Sequence, residues 1–496
     1  MNPLRVAFFT DSYHEVNGVA LTSREFTAFA LRRGLPFLSV HPGPETCHRR
    51  EGACETLEIA SSRFVLDLER DLRFDLAFLR HRRFVRERLE QFRPDLVHVT
   101  GPGHTGLLGA LLAHDLRVPL AASWHTNLHE YASRRLRRLQ MRLLGVCGGK
   151  GAAWAEKKSL AVVLWFYRKA WISFAPNTEL VELLASRTGR PCYLMQRGID
   201  STLFSPQRRT RQDETFVLGY VGRLSPEKNV RQFAALERTL LEAGATDFRF
   251  AIVGDGSERG WLAKNLSHAD LPGVQRGAEL ARLYANMDVF VFPSETDTFG
   301  NVVLEAQASG VPAVVTDRGG PKFLVDHGVN GFVGADAAGF GEAVLRLYRD
   351  RPLLTALKEG ARTAALNRRW EPVFEAMYDR YAENHKTVTP DLRVGHRART
   401  VPAVVASRSG CARRRPNMKV KKTVKHVEKA QGLLTAVLEK SDHLPRQVTE
   451  LLRAATSTIE QAATALAEGD HSRTDDSNRR GAKKAARTRR PRSKAT

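Results

Sequence analysis

The sequence predicts an α/β protein with two Rossmann-like domains and a basic C-terminal extension. Three observations carry this reading. Short apolar runs of strand type alternate with amphipathic runs of helix type through residue 386, the pattern of parallel sheets covered by helices. The alternation falls into two series, joined by a polar stretch around residues 198–215 that holds Pro206 and several Arg and Gln, as expected of a linker. Charge is also unevenly spread. Of a formal net charge of +23, residues 387–496 supply +15 (25 basic, 10 acidic), leaving +8 for residues 1–386.

In the first series Arg5–Thr10 reads as a buried strand, Gly18–Arg33 as a helix and Phe37–His41 as a second strand. Leu96–Thr100, Leu120–Ser123 and Trp171–Ala175 continue it, each followed by a loop and a helix pattern. The second series has strands at Phe216–Val221, Phe248–Val253, Val289–Phe292 and Ala313–Thr316. Its helices are expected at Val230–Ala243, Glu258–Leu266, Glu279–Asn286 and Asn301–Ser309. The domains implied are 1–203 and 215–369. Residues 370–386 read as a last helix, with Trp370, Phe374, Tyr378 and Tyr381 along one face. Residues 387–417 read as a linker, and 418–468 as a helical hairpin with Pro445 between its helices, or a short coiled-coil unit. Residues 469–496 have the charged, Ala-rich composition of a disordered tail.

Composition narrows the class. A chain of 496 residues with 42% hydrophobic side chains has material for large cores and is not wholly disordered. Five cysteines with no CxxC or Cys/His spacing argue against a disulfide framework and a structural zinc site, and fit a reducing compartment. No leader pattern opens the sequence. The most apolar later stretch, Leu160–Tyr167, is too short to span a bilayer. The expectation is a cytoplasmic protein, at most peripheral on the inner face of the membrane.

Four segments carry chemistry, and all are expected at carboxyl ends of strands, where open α/β sheets bind ligands. Thr10–Ala20 ends a strand, carries Asn17-Gly18 and opens a helix. Gly18 permits close backbone approach, and a helix start offers N–H groups to an anion. His125, in Ser123-Trp-His-Thr-Asn, can bond a sugar hydroxyl or stabilise charge at a reacting carbon. Arg223 and Lys228, in Gly219-Tyr-Val-Gly-Arg-Leu-Ser-Pro-Glu-Lys, suit a diphosphate, one as a planar fork and one as a mobile point charge. The fourth segment is the most specific. In Asp297-Thr-Phe-Gly-Asn-Val-Val-Leu-Glu305 two carboxylates are eight apart around a helix start. Thr298, Phe299, Gly300 and Asn301 can cradle a phosphate there. Glu305 can reach a ribose hydroxyl pair, and Asp297 the hydroxyls of a transferred sugar. Each segment also has a plain structural reading: a strand–helix turn, a core histidine, a solvated loop, an acidic N-cap.

Together these segments resemble glycosyltransferase family 4, retaining nucleotide-sugar enzymes of the GT-B fold, over about residues 1–386. The block TDTFGNVVLEAQASGVP is similar to that of bacterial α-mannosyltransferases that glycosylate lipids. The resemblance implies two Rossmann-like domains facing a central cleft, with the helix at 370–386 crossing back to the N-terminal domain. It maps the family's Glu-x7-Glu pair onto Asp297 and Glu305, the first shortened by a methylene. Gly18, His125, Arg223 and Lys228 match donor-site positions, and Gly319-Gly320-Pro321 the loop after the paired-carboxylate helix. It further implies metal-independent transfer with no cofactor. The donor is a substrate, GDP-mannose or a UDP-sugar, whose base is read largely by backbone near Val253–Gly256 and Gln275–Glu279. Retention would proceed by same-face attack without a dedicated base.

The acceptor is expected to be a lipid, a lipid-linked molecule or a glycan. Between His129 and Lys169 lie Arg134, Arg135, Arg137, Arg138, Arg142, Lys150, Lys157, Lys158, Arg168 and Lys169, interleaved with Trp154, Trp165 and Phe166. Such a segment suits an anionic membrane surface. The tail at 479–494 can bind nucleic acid through phosphates alone. Two alternatives stand beside transfer: a GT-B sugar-nucleotide epimerase, and a non-catalytic scaffold with a nucleic-acid-binding tail.

Overall fold

The computed structural model of the chain describes residues 3–62, 65–69, 72–125 and 149–388. The linker beyond residue 388, the helical hairpin and the basic tail lie outside these residues, as do Arg134, Arg135, Arg137, Arg138 and Arg142.

The first series runs β1 (Val6–Phe9), α1 (Gly18–Arg32), β2 (Phe37–Gly43), β3 (Cys47–Glu51) and β4 (Cys54–Ala60). A hairpin of β5 (Val65–Glu69) and β6 (Leu72–Asp75) follows, then α2 (Arg82–Phe92), β7 (Leu96–Val99) and α3 (His104–Asp115). It ends with β8 (Leu120–Ser123), α4 (Gly149–Lys169), β9 (Ile172–Ala175), α5 (Thr178–Thr188) and β10 (Cys192–Leu194). The second series runs β11 (Phe216–Val221), α6 (Gln232–Glu242), β12 (Phe248–Val253), α7 (Arg259–Asn265), β13 (Ala269–Gly273) and α8 (Gly277–Ala285). It continues with β14 (Val289–Phe292), α9 (Asn301–Ala308), β15 (Ala313–Thr316), β16 (Gly331–Gly334), α10 (Ala337–Arg349) and α11 (Arg351–Leu366), and closes on α12 (Trp370–Val388). The two sheets and α12 form one compact unit, while residues 149–159 at the start of α4 belong to a second.

The N-terminal sheet has the order β10-β9-β8-β7-β1-β2-β4-β3, parallel except for β3 against β4. The C-terminal sheet, β13-β12-β11-β14-β15-β16, is parallel throughout. Central strands such as Val6–Phe9 and Phe216–Val221 are buried along their whole length, which is why they read as unbroken apolar runs. The strands without such a run are those the sequence does not advertise. β3 reads Cys-His-Arg-Arg-Glu on an exposed edge, and β13 carries Pro272 at the other sheet's edge, where a missing N–H costs nothing.

α12 leaves the C-terminal half and returns to the N-terminal sheet. Trp370, Phe374, Met377 and Tyr381 are buried with Phe8, Phe26, Phe29 and Phe37. The Phe26 and Phe374 rings stack at 4.7 Å, and such a pair adds about 0.5–1.5 kcal/mol beyond its buried area. The two chain crossings run side by side. Ile199 N donates to Arg368 O at 3.0 Å, and a side chain at Gly198 would collide with Trp370 N, 2.3 Å from its Cβ. The joint at 198–215 is exposed over most of residues 207–214 and is anchored at Asp288. Arg211, almost fully buried, pairs with buried Asp288, which also binds Arg209 at 3.3 Å and Lys358 at 2.8 Å. Its polar composition reflects an ion cluster holding the segment to the C-terminal half.

Candidate active site

In each sheet the strand order reverses once, between β1 and β7 and between β11 and β14. The loops at such reversals open a crevice for ligands. In the C-terminal sheet they are 222–229 and 293–300, which hold Arg223, Lys228 and Asp297. Lys228 Nζ lies 2.6 and 2.8 Å from the Asp297 carboxylate oxygens, and Ser294 Oγ donates to the same carboxylate at 2.5 Å. Burial works to raise the Asp297 pKa. The Lys228 charge and hydrogen bonds, the Ser294 bond and Arg223 outweigh it and hold the group below the ordinary carboxylate value. Arg223 Nη1 is 3.9 Å from Glu227 Oε1. The Gly-Gly-Pro loop braces the Asp297 segment: Gly320 N donates to Asp297 O at 2.6 Å. A Cβ on Gly320 would sit 2.0 Å from Thr298 O, so only glycine fits.

α9 begins after Gly300, which has φ +100° and makes no side-chain cap. Val303 N donates back to Gly300 O at 2.9 Å, and the Asn301 and Val302 N–H groups are the ones this start offers an anion. In the other half Asn17 Oδ1 accepts from Ala20 N at 2.9 Å and caps α1. The two helix starts face each other, for a Cβ on Gly18 would come within 3.0 Å of Asn301 Nδ2.

His125 is held at both ring nitrogens. Arg197 Nη2 lies 2.8 Å from Nδ1, and Ser123 Oγ lies 2.6 Å from Nε2. A guanidinium only donates, so Nδ1 accepts and the neutral ring carries its proton on Nε2. Burial, then the Arg197 and His98 charges, push the imidazole pKa well below its usual value. Behind Ser123 the chain of contacts continues to His98 Nε2 at 2.9 Å and from His98 Nδ1 to Tyr381 Oη at 2.5 Å. Burial takes His98 down to about 3, so this network is neutral at physiological pH. Arg197 is 4% exposed and donates to Met195 O and Gln196 O. Among the described residues no carboxylate lies within ion-pair distance of it.

Glu305, one turn into α9, accepts from Tyr284 Oη at 2.8 Å. Burial raises its carboxyl to about 7, with the tyrosine bond opposing.

The two halves that carry these loops and helix starts match known families. Residues 16–203 match the family described as Glycosyltransferase Family 4, and residues 215–350 that described as Glycosyl transferases group 1. Over 304 residues the chain is 34% identical to the GDP-mannose-dependent alpha-mannosyltransferase of Mycolicibacterium smegmatis, covering 59% of this chain and 74% of that one. The chain belongs to glycosyltransferase family 4. The Corynebacterium glutamicum protein of the same name is 27% identical over 402 residues, covering 77% of this chain and 90% of its own. Sucrose-phosphate synthase from Thermosynechococcus elongatus has the same fold, with a TM-score of 0.58 at 18% identity over 77% of this chain and all of the other. The lipopolysaccharide glycosyltransferase WaaG superposes with a TM-score of 0.52 at 16% identity, covering 75% and 98%. The fold is GT-B, and the chain is a nucleotide-sugar glycosyltransferase.

In this glycosyltransferase the structure brings Gly18, Asn301, Gly300 and Thr298 together, joins Lys228 to Asp297, and sets His125 beside Thr298. Several of these side chains are placed otherwise than the sequence suggests. The His125 imidazole has no nitrogen to spare for a sugar. Asp297 is turned to Lys228 rather than free for hydroxyls. Thr298 Oγ1 donates to His125 O at 2.7 Å, which turns its hydroxyl away from the phosphate role expected of it. Phe299 is a core side chain, 5% exposed. The same holds for Phe166, buried with Tyr167 beneath Trp124, so it is not an aromatic offered to a membrane. Arg197 and Asn177 are absent from the sequence reading. Asn177 caps α5 through Oδ1 and donates from Nδ2 to Thr298 O at 2.7 Å, across the cleft. An Asn directly before a helix was the available signal for it. Arg197 gave none, because nothing in Gln196-Arg-Gly marks a buried cation.

Proposed function

We propose that the protein transfers mannose from GDP-mannose, with retention of anomeric configuration, to a hydroxyl of a lipid, lipid-linked or glycan acceptor. The observation that carries the donor is the identity with GDP-mannose-dependent relatives over both halves of the chain. The roles follow from charge. Departure of a nucleoside diphosphate leaves negative charge at the β-phosphate, and fixed donors aimed there lower the barrier. Arg223, Lys228 and the first turn of α9 are such donors, with the glycine start of α1 closing on them from the other half. Lys228 is paired with Asp297, so Asp297 positions the cation that meets the phosphate. Glu305, tied to Tyr284, takes the ribose hydroxyl pair. The His125 ring, fixed by Arg197 and Ser123, and its carbonyl, held by Thr298 Oγ1, fix the backbone at the sugar side of the cleft.

The exposed Lys157, Lys158, Arg168 and Lys169 of α4 support attachment to an anionic bilayer surface. Among the described residues no helix is long and apolar enough to cross a membrane. A panel of GDP- and UDP-sugars offered to the full chain tests the reading. Turnover of GDP-mannose above all other donors is expected, and preference for a UDP-sugar would overturn the assignment of the donor.

A further inference from the structure

A second cluster of chemistry-bearing side chains lies at the carboxyl edge of the N-terminal sheet, apart from the groups assigned to the diphosphate. His41 of β2 and Glu58 of β4 are direct register partners on neighbouring strands, and both are buried. His14 reaches them from the loop between β1 and α1. Its Nε2 is 3.8 Å from Glu58 Oε1, and one donor atom from each of the three residues lies within 4.8 Å of the others. The His41 ring is held for this role. Its Nδ1 is 3.1 Å from Pro42 O, an acceptor, so Nδ1 carries the proton and Nε2 the lone pair. Tyr13 stacks on the ring at 3.9 Å and 1°. His41 is fully buried, yet its Nε2 has no hydrogen-bond partner among the described residues. An orphaned buried acceptor costs about 1–3 kcal/mol. The backbone bond at the far nitrogen is the support that metal-ligating histidines use to fix their tautomer. Space for the carboxylate comes from Gly43, where a Cβ would lie 2.5 Å from Glu58 Oε2. Arg49 Nη1, mostly exposed, also lies 3.7 Å from Glu58 Oε1.

We propose that His14, His41 and Glu58 form a three-ligand site for a divalent transition-metal ion of the zinc class. Two imidazoles and a carboxylate suit zinc better than magnesium, which prefers an all-oxygen shell. Zinc bonds of about 2.0–2.2 Å at tetrahedral angles place donor atoms about 3.4 Å apart. His41 and Glu58 are fixed by strand pairing. His14, half exposed on its loop, closes the remaining distance by side-chain rotation. Bound metal would tie the 11–17 loop to the sheet edge, three residues before the Asn17 cap and the Gly18 start that meets Asn301. Sequence spacing is blind to the site because its ligands come from a loop and two separate strands.

The test is zinc binding to the full chain after removal of metal, wild type against His14→Ala and Glu58→Gln. Other histidines and the five cysteines supply a background common to all three proteins. His14→Ala removes a surface side chain, so the fold survives. The wild type is expected to bind one zinc more than either variant, with a rise in Tm that both variants lose. Affinity should fall by more than the roughly 10- to 100-fold that loss of an outer partner costs. Cobalt(II) in place of zinc should show the visible absorption of a low-coordinate nitrogen–oxygen site in the wild type alone. Equal zinc stoichiometry and equal Tm response in wild type and His14→Ala would overturn the proposal.

Discussion

The two halves share a topology but place opposite chemistry at their strand ends. In the C-terminal half the reversal is charged: Lys228 on Asp297, Arg223 near Glu227, and an uncapped helix start beside them. In the N-terminal half the neighbouring ends of β7 and β8 carry a nearly charge-neutral frame. Tyr381, His98, Ser123 and His125 form a buried chain of uncharged groups, with Arg197 as its one cation. On the loop after β1, burial raises the Asp11 carboxyl pKa against the opposing His104 charge and the bond from Thr105 N. The same doubly wound sheet thus serves two purposes. In the proposed reaction one half supplies charge that exchanges a protein partner for a phosphate, and the other a rigid frame for the sugar.

This division can be broken at graded points. Arg223→Ala should have the largest effect, lowering kcat/KM for transfer about 100- to 1,000-fold with little change in Tm. Arg197→Met comes next. Its loss relieves the burial of a charge but leaves the His125 Nδ1 acceptor unpaired, at a cost of about 1–3 kcal/mol. Urea unfolding should show a loss within that range, while transfer by the folded variant falls by about tenfold or more. Unchanged transfer by the folded variant would make Arg197 a purely structural residue.

Glu305→Gln sharpens the charged side through pH. The Glu305 carboxyl, at about 7 in the free protein, lies above its ordinary value. The folded state therefore holds its proton longer than the unfolded chain, and this group subtracts stability as pH rises from the ordinary carboxylate range through about 7. Ribose hydroxyls donate to the charged form, so donor binding releases the proton. The donor KM of the wild type should fall between pH 6 and 8, and Glu305→Gln should flatten that change. The smallest effect is expected for Tyr381→Phe. It strips His98 Nδ1 of its partner, costing about 1–3 kcal/mol in unfolding experiments and only a few-fold in kcat.

The same contrast explains what could be read from the sequence. The central strands were legible because burial on both faces writes them as apolar runs. The charged reversal was legible as well, since Arg223, Lys228, Asp297 and Glu305 stand close in sequence to glycines and a helix start. The neutral frame was not. Its members come from β7, β8, the 195–198 segment and α12, and they meet only through the return of α12 to the N-terminal sheet. Polar pairs such as Lys228–Asp297 were visible as residues but not as partners, because spacing along the chain carries no sign of which side chains turn toward each other.

Titration of GDP into wild type, Lys228→Ala and Tyr381→Phe tests the division of labour most directly. Loss of one charge-assisted phosphate contact is worth about 1.5–3 kcal/mol, so Lys228→Ala should bind GDP about 10- to 100-fold more weakly. Tyr381→Phe should bind it as the wild type does. Unchanged affinity in Lys228→Ala, or equal losses in both variants, would contradict the account.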